Sequence, residues 1–221
     1  MPKPRKPLKP QPAPTNPVLA IDSSWDGTTK KVFLYRQEHV YPYISKRRLG
    51  ITNLSETMAR RCFFEAEVQR AGVKLITGMG HGDYDQFTGH LGDVIWEIGK
   101  YRANEVKNKI VHLLSCRTAS KLGPDIVVNG ALAFFGYLED FVFHVDHESV
   151  FFQCASEIDL ALADGLSVSD VHTRVKDVFE SNIDELAGLD GQAAALLNAN
   201  LQYLCTPVVD GRFGDRSVAL R

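Results

Sequence analysis

A histidine and a cysteine stand at the ends of two predicted strands in the middle of the chain. The strand at 73–78 leads into the loop that contains His81, and the strand at 109–114 leads to Cys116. Functional loops of parallel sheets gather at the carboxyl ends of the strands, so neighbouring strands would bring the two side chains together. An imidazole can stabilise a thiolate and can protonate a leaving amine. The pair therefore points to catalysis by a cysteine nucleophile.

The rest of the loop around His81 fits this chemistry. Gly82 has no side chain to obstruct its backbone N–H, which could stabilise the oxyanion formed when a carbonyl is attacked. Asp83 and Asp85 either orient His81 or only solvate the loop. A phosphate cradle at 78–82 is an alternative, although the loop lacks the P-loop lysine and its G-x-G-x-G spacing differs from a dinucleotide fingerprint.

Strands and helices alternate along the chain. Apolar runs predict strands at 17–21, 31–35, 73–78, 109–114 and 131–137. Helical spacing predicts helices at 53–71, 93–106, 125–129, 146–164, 167–187 and 190–204. Such alternation gives right-handed crossovers and a largely parallel sheet with helices on both faces. The sequence therefore predicts a three-layer α/β/α sandwich formed by one domain at 18–221.

The composition is that of a globular protein and excludes several other classes. The 221 residues are 44% hydrophobic and 24% charged, close to the usual values of about 45–50% and about 25%. No run of about 18 apolar residues is present, so no membrane-spanning helix is expected. The net charge is −2, from 25 basic against 27 acidic residues; four basic residues among the first seventeen leave 21 against 27, or −6, in the rest. An acidic body argues against nucleic-acid binding.

The first seventeen residues contain seven of the ten prolines. This predicts a disordered tail at 1–17 that leans towards polyproline II and that either docks on a proline-reading or acidic partner or has no function. Because the tail lacks the apolar stretch of a secretory signal, a cytoplasmic protein is expected. The four cysteines lack metal-like pairing and are expected to be free thiols, with Cys62 and Cys154 acting as small hydrophobes.

Several histidines have ordinary interpretations. His112 lies inside the strand at 109–114 and is expected to be a core residue. His144, Asp146 and His147 form an H-x-D-H cluster, but three potential ligands within four residues, with no distant fourth, make a poor metal site. A solvated loop is expected there, and neither a metal nor another cofactor is predicted.

The order of these features resembles that of the caspase-like cysteine peptidase clan, and within it the gingipain and CHAT-domain branch. The clan has a strand, His-Gly, a helix, a second strand and Ser-Cys in this order. The segment Ser115–Ala119, the pair Leu122-Gly123 and the segment Gly130–Tyr137 are similar to the gingipain and CHAT pattern, in which a G-A-x-A-F-x-G strand follows the cysteine and a helix. The resemblance covers 73–143 well and the remainder loosely.

The resemblance implies a caspase-like sheet and a role for each matching residue. His81 would be the catalytic base and acid, Cys116 the nucleophile, and the backbone N–H groups of Gly82 and Cys116 the oxyanion donors. The substrates would be proteins or peptides. One departure concerns specificity, since Leu114 stands where legumain has a glutamate, two residues before the nucleophile.

An acidic pocket residue must therefore come from elsewhere. Glu139 and Asp140 follow the strand at 131–137, and in caspase-like peptidases the residues after this strand help to build the pocket for the side chain before the cleaved bond. A carboxylate there would favour Arg or Lys. Alternation along an extended chain favours Asp140 in the pocket, with Glu139 pointing away. An exposed turn is the alternative interpretation.

Taken together, these features predict a cysteine endopeptidase with a Cys-His dyad that cleaves after Arg or Lys. A catalytically idle peptidase fold that binds or scaffolds, and a nucleotide-binding domain of flavodoxin-like shape, are the alternatives. Regulation is expected from a protein partner, from the basic tail or from cleavage of the protein's own loops.

Overall fold

A computed structural model describes residues 16–220 of the chain. The strands are β1 (Val18–Asp22), β2 (Ile51–Ser55), β3 (Leu75–Met79), β4 (Gly82–Asp83), β5 (Gln86–Thr88), β6 (Val94–Glu97), β7 (Ile110–Leu114), β8 (Ala133–Tyr137) and β9 (Leu204–Cys205). The α-helices are α1 (Gly27–Tyr35), α2 (Tyr41–Lys46), α3 (Arg61–Val68), α4 (Leu122–Val128), α5 (Glu148–Ala163), α6 (Val168–Ala187) and α7 (Gly191–Tyr203). A π-helical turn, Arg36–Val40, joins α1 to α2.

Six strands form the central sheet, in the order β2-β1-β3-β7-β8-β9. The first five are parallel, and β9 joins β8 in the antiparallel direction. A small antiparallel sheet of β4, β5 and β6 follows β3. Helices cover both faces of the central sheet, so the predicted three-layer α/β/α sandwich is confirmed. Within residues 16–220, no helix is long and apolar enough to cross a lipid bilayer.

Neighbouring side chains of each central strand enter two different cores. Leu75 and Ile110 belong to the core formed with α1, α2, α5, α6 and α7. Ile76 and Val111 belong to the core formed with α3, α4 and the small sheet. The period of two along a strand sends successive side chains to opposite faces, and burial on both faces explains why these strands are continuous apolar runs.

The strand predicted at 31–35 is wrong, because these residues form the second half of α1. Asp26 caps this helix by accepting hydrogen bonds from two backbone N–H groups of its first turn. Val32 and Phe33 are buried, whereas Leu34 is 53% exposed. A strand buried on both faces would bury all three, but a helix buries only one side. Periodicity alone does not separate the two for so short an apolar run.

The helix predicted at 93–106 is also wrong, and the helix predicted at 53–71 is too long. Part of the first segment is β6, which pairs with β5 and buries Trp96. Gly99 follows with φ +78, a left-handed conformation that ends regular structure. In the second segment Asn53 lies in β2, paired with β1, and the helix is confined to α3. The other predicted elements are present with bounds shifted by a few residues.

The tail predicted at 1–17 lies outside the described residues except for its last two. The side chain of Asn16 donates a hydrogen bond to Thr52 at 3.1 Å. The carbonyl oxygen of Pro17 accepts hydrogen bonds from the backbone N–H groups of Lys74 and Leu75 at 2.9 and 3.0 Å. Residues 16 and 17 therefore contact the strands of the folded body.

A buried ion cluster ties three central strands to the helices above them. The guanidinium of Arg36 lies 3.2 Å from Asp22 and 2.8 Å from Asp159, and it donates a hydrogen bond to the Thr77 hydroxyl at 2.8 Å. Asp159 also pairs with Nδ1 of His112 at 2.9 Å, so this histidine is a core residue as expected. Burial acts to raise the pKa of Asp159, but His112 and Arg36 outweigh it and lower the pKa to about 2.

We expect the substitution Arg36→Met to lower the free energy of unfolding by about 3–5 kcal/mol, because it leaves Asp22 buried without its cation and removes one of the two ion-pair partners of Asp159. Arg70→Met is the control, since that guanidinium is 67% exposed in its pair with Glu67 and exposed pairs contribute about 1 kcal/mol or less. Denaturant unfolding measures both. Equal losses for the two variants would contradict a dominant role of the buried cluster.

Candidate active site

The adjoining ends of β3 and β7 bring His81 and Cys116 together. The sheet register pairs Met79 of β3 with Leu114 of β7, and each of the two functional residues follows its paired position by two residues. His81 and Cys116 both line one small pocket of about 60 Å³. The other residues that line it are Thr28, Thr29, Val32, Met79, Gly80, Leu114, Ser115, Phe141 and Phe143.

The imidazole of His81 is oriented by a carboxylate. Its Nε2 lies 2.8 Å from Oδ2 of Asp26, and the ring of Trp25 meets the imidazole edge-on, with 5.9 Å between the ring centroids. The His81 side chain is half exposed. If Nε2–H is donated to Asp26, Nδ1 is the nitrogen that remains free to accept a proton. The carboxylate of Asp26 thus fixes the orientation of the His81 imidazole.

Asp26 performs two tasks with its two oxygens. Oδ1 accepts hydrogen bonds from the backbone N–H groups of Thr28 and Thr29 at 2.9 and 3.0 Å and so caps α1. Oδ2 faces His81 and also accepts a hydrogen bond from the Thr29 hydroxyl at 2.9 Å. Burial acts to raise the pKa of Asp26, but the hydrogen bonds of Thr29 and His81 outweigh it and hold the pKa below its ordinary value. The carboxylate is therefore ionised at neutral pH.

Sequence reasoning missed Asp26 and considered Asp83 and Asp85 instead. The carboxylate of Asp83 accepts a hydrogen bond from the next backbone N–H, and Asp85 is exposed. The usable signal was the order Asp26-Gly-Thr-Thr29, in which an N-cap residue precedes a helix. That signal has meaning only if α1 is recognised as a helix.

The thiol of Cys116 is partly buried and favours its protonated form. Burial raises the pKa of this thiol, the backbone N–H of Phe141 lowers it, and the carboxylate of Asp140 raises it again. Arg117 lowers it to a smaller extent. The net result is a pKa above the usual value for cysteine. A nucleophilic role for this thiol would therefore need a base to remove the proton.

Gly82 lies against the backbone of Cys116. A Cβ atom at Gly82 would lie 2.6 Å from the carbonyl oxygen of Cys116, 2.7 Å from the Thr118 side chain and 3.0 Å from the Ser115 hydroxyl. No side chain fits in that space, so this close approach of two backbones requires glycine. The proximity of the two segments is what a shared oxyanion site would need, and the roles of the Gly82 and Cys116 N–H groups stay a prediction.

The residue after Cys116 is strained and is tied to the segment that follows β8. Arg117 has φ +59, in the left-handed region that side chains rarely adopt. Its backbone N–H donates to the carbonyl oxygen of Glu139 at 3.1 Å, and its guanidinium lies 2.9 Å from Asp140 and over the ring of Tyr84. Asp140 thus lies beside Cys116, but its charge already has a partner. The Glu139 side chain is exposed.

The glycines before His81 serve packing. A Cβ atom at Gly78 would lie 2.9 Å from the side chains of both Leu113 and Phe87, and one at Gly80 would overlap the carbonyl oxygen of Thr88. The small sheet therefore packs directly against these glycines, and β4 follows the loop where a phosphate-binding loop would start a helix. This geometry gives the nucleotide-binding alternative no support.

Other candidate residues lie away from this pocket or differ from expectation. Cys154 and Cys205 are buried, whereas Cys62, expected to act as a small hydrophobe, is exposed. The two histidines of the H-x-D-H cluster, His144 and His147, lie beside Asp190, which sequence spacing did not identify as a partner. These three are the side chains of the described residues that are grouped closely enough to hold a metal ion.

Comparison with known proteins supports the fold alone. No protein-family model matches the chain, and no curated protein sequence matches it. Among solved structures, the chain is similar to the complex of the pro- and mature domains of the gingipain RgpB of Porphyromonas gingivalis, with a TM-score of 0.54 and 12% sequence identity. The match covers 93% of this chain and 48% of that chain, so this chain spans about half of its length. The fold is thus similar to that of a gingipain complex.

We expect Asp140→Asn to speed the alkylation of Cys116 by iodoacetamide several-fold at neutral pH, because loss of the carboxylate lowers the thiol pKa and raises the thiolate fraction. The rate should be followed against pH by mass spectrometry of the Cys116 peptide. Glu139→Gln is the matched control and should leave the pH profile unchanged. The same profile in the wild type and in Asp140→Asn would show that Asp140 does not act on the thiol.

Proposed function

We propose that this protein is a cysteine endopeptidase that uses Cys116 as nucleophile and His81 as general base and acid. The observation that carries the proposal is the single pocket lined by both side chains at the adjoining ends of β3 and β7. The pairing of His81 with Asp26 supports it, because a carboxylate that orients an imidazole also stabilises the imidazolium formed during catalysis. The fold similarity to the RgpB complex is consistent with a peptidase-like fold.

In the proposed reaction, Sγ of Cys116 attacks the carbonyl carbon of a peptide bond while Nδ1 of His81 takes the thiol proton. The backbone N–H groups of Gly82 and Cys116 stabilise the resulting oxyanion. His81 then protonates the leaving nitrogen as the C–N bond breaks, and a thioester remains. His81 next deprotonates a water molecule, which attacks the thioester. The C–S bond breaks, the carboxylic acid product leaves, and the imidazolium returns its proton to the sulfur.

The environment of the thiol explains why His81 matters in this scheme. Burial and Asp140 keep the resting thiol of Cys116 protonated, so proton removal must accompany the attack on the substrate. A positioned acid–base group contributes about 10²–10⁴-fold to such a step. Asp26 is placed to stabilise the positive charge that His81 then carries.

We also propose that Asp140 selects Arg or Lys before the cleaved bond, with Glu139 nearby but directed away. Asp140 lies close enough to Cys116 to raise its pKa, and its side chain is 50% exposed. Asp140 already pairs with the guanidinium of Arg117, which supports the proposal that the same carboxylate can bind the guanidinium of a substrate arginine. A substrate arginine would displace Arg117 and pair with both carboxylate oxygens of Asp140, and this bidentate pairing would favour Arg over Lys.

A catalytically idle peptidase fold that binds a protein partner is the second candidate. The raised pKa of Cys116 favours it, since a protonated thiol is a poor nucleophile. The two candidates differ in one observable property. Only an active dyad makes the reactivity of Cys116 towards a peptide-based electrophile depend on His81.

We expect Cys116→Ala to abolish hydrolysis of a fluorogenic peptide and His81→Ala to lower kcat/KM by about 10²-fold or more. A peptide-based electrophile should label the wild type but not His81→Ala. Cys62→Ala and His39→Ala change exposed side chains outside the pocket and serve as controls that keep activity. Full hydrolysis by Cys116→Ala would refute the proposal, and equal labelling with and without His81 would favour the idle fold.

In the same assay, Asp26→Asn separates two contributions of Asp26: the orientation of the His81 imidazole and the stability that comes from capping α1. Asparagine is as good an N-cap as aspartate, so the melting temperature should change little. The loss of the carboxylate should still lower kcat/KM by about 10²-fold or more, because the preferred tautomer and the imidazolium lose their partner. Asp85→Asn, at the exposed position considered from the sequence, should keep full activity.

For specificity, we expect cleavage after Arg or Lys in a peptide library, with a selective loss of that cleavage in Asp140→Asn. The physical reason is that an amide no longer balances the charge of the substrate side chain. Reactivity towards iodoacetamide should not fall in the same variant. Cleavage after Asp or after small apolar residues would disprove the pocket assignment and leave the dyad untouched.

A further inference from the structure

Three metal-ligating side chains meet where the segment after β8 passes the start of α7. His144 immediately precedes the 3-10 turn Val145–His147, in which His147 is the last residue, and Asp190 is the residue immediately before α7. One ring nitrogen of each histidine and one carboxylate oxygen all lie within 4.8 Å of one another. Oδ2 of Asp190 lies 3.4 Å from Nε2 of His147 and 3.9 Å from Nε2 of His144.

These distances are too long for strong hydrogen bonds and close to those across a metal ion. In normal N–H···O hydrogen bonds the heavy atoms lie about 2.7–3.2 Å apart. The contacts of Asp190 with the two histidines, at 3.4 and 3.9 Å, are longer than this. Zinc bonds of about 2.0–2.1 Å to nitrogen and oxygen in a tetrahedron separate the ligand atoms by about 3.3–3.4 Å. The His147–Asp190 distance of 3.4 Å already matches this value, and the His144–Asp190 distance of 3.9 Å exceeds it by about 0.5 Å.

Asp190 is fixed in an orientation that favours ligation. Its Oδ1 accepts hydrogen bonds from the backbone N–H groups of Gln192 and Ala193 at 3.0 and 3.1 Å, which caps α7. Oδ2 is therefore left facing the two histidines. The three side chains are 21–28% exposed, so an ion can reach them while the surrounding chain holds them in place. A ligand whose second oxygen is already anchored loses little freedom on binding an ion.

From this geometry we propose that His144, His147 and Asp190 form a binding site for a divalent transition-metal ion such as Zn²⁺. Two imidazoles and one carboxylate suit zinc better than the all-oxygen sites of Mg²⁺ and Ca²⁺. Water would complete the coordination. Asp146, which lies between the histidines in sequence, is exposed and does not belong to the ligand set. The site does not depend on the proposed peptidase activity.

The test is a calorimetric titration of the full chain with Zn²⁺, using protein without a polyhistidine tag. Every form carries Cys116→Ala, because a thiol beside His81 could bind zinc on its own. We expect one equivalent to bind and the melting temperature to rise by several degrees, since a ligand of the native state adds stability by mass action. His147→Ala and Asp190→Asn should each weaken binding at least tenfold, whereas Asp146→Asn should not change it.

Asp190→Asn keeps the proposal testable if other variants fail to fold, because asparagine preserves the cap of α7. Co²⁺ gives a second measurement. Its spectrum should lack the intense near-ultraviolet charge-transfer band of a cobalt–thiolate bond. Three results would each overturn the assignment. They are the absence of zinc binding, zinc binding that both His147→Ala and Asp190→Asn leave unchanged, and a thiolate charge-transfer band in the Co²⁺ spectrum.

Discussion

The guanidinium of Arg36 is completely buried between the central sheet and the helices, where it meets carboxylates from β1 and α5 and a hydroxyl from β3. A buried charge is tolerated only when it is paired and hydrogen-bonded, so Asp22, Asp159 and Thr77 must all be in place for this packing to be favourable. His112 joins the cluster from β7 through Asp159. The cluster therefore constrains three parallel strands and α5 together: Arg36 contacts β1, β3 and α5 directly, and β7 joins through the Asp159–His112 pair.

This cluster lies one layer beneath the candidate active site. A cluster residue precedes a site residue by four positions at three places along the chain: Asp22 of β1 precedes Asp26, Thr77 of β3 precedes His81, and His112 of β7 precedes Cys116. The three groups of the candidate site thus leave the sheet from strands that are locked together below it. This is the rigid support that a site of precise geometry needs.

The sequence predicted the parts of this arrangement that depend on single strands. The placement of His81 and Cys116 was predicted because each follows an apolar run that was interpreted as a buried strand, and both runs are strands of the sheet. Asp26 was missed because its role depends on α1, and the run at 31–35 is as apolar as a strand. The error at 93–106 has a different origin, since β6 exists only through its pairing with β5 and no local spacing encodes a partner. Pairing and capping are relations between segments, and a pattern within one segment does not contain them.

Burial raises the pKa of the Cys116 thiol, and the segment after β8 adds two groups that act on this pKa in opposite directions. The Phe141 N–H lowers the pKa of Cys116 and the adjacent Asp140 carboxylate raises it, so a small movement of this segment shifts the balance. Phe141 and Phe143 also line the pocket, so a substrate that fills the pocket touches the same segment. Under the proposed specificity, a substrate cation at Asp140 neutralises the carboxylate that opposes ionisation, while the Phe141 N–H remains. Binding of a basic side chain would then lower the thiol pKa at the moment when a nucleophile is needed, and a neutral side chain would not.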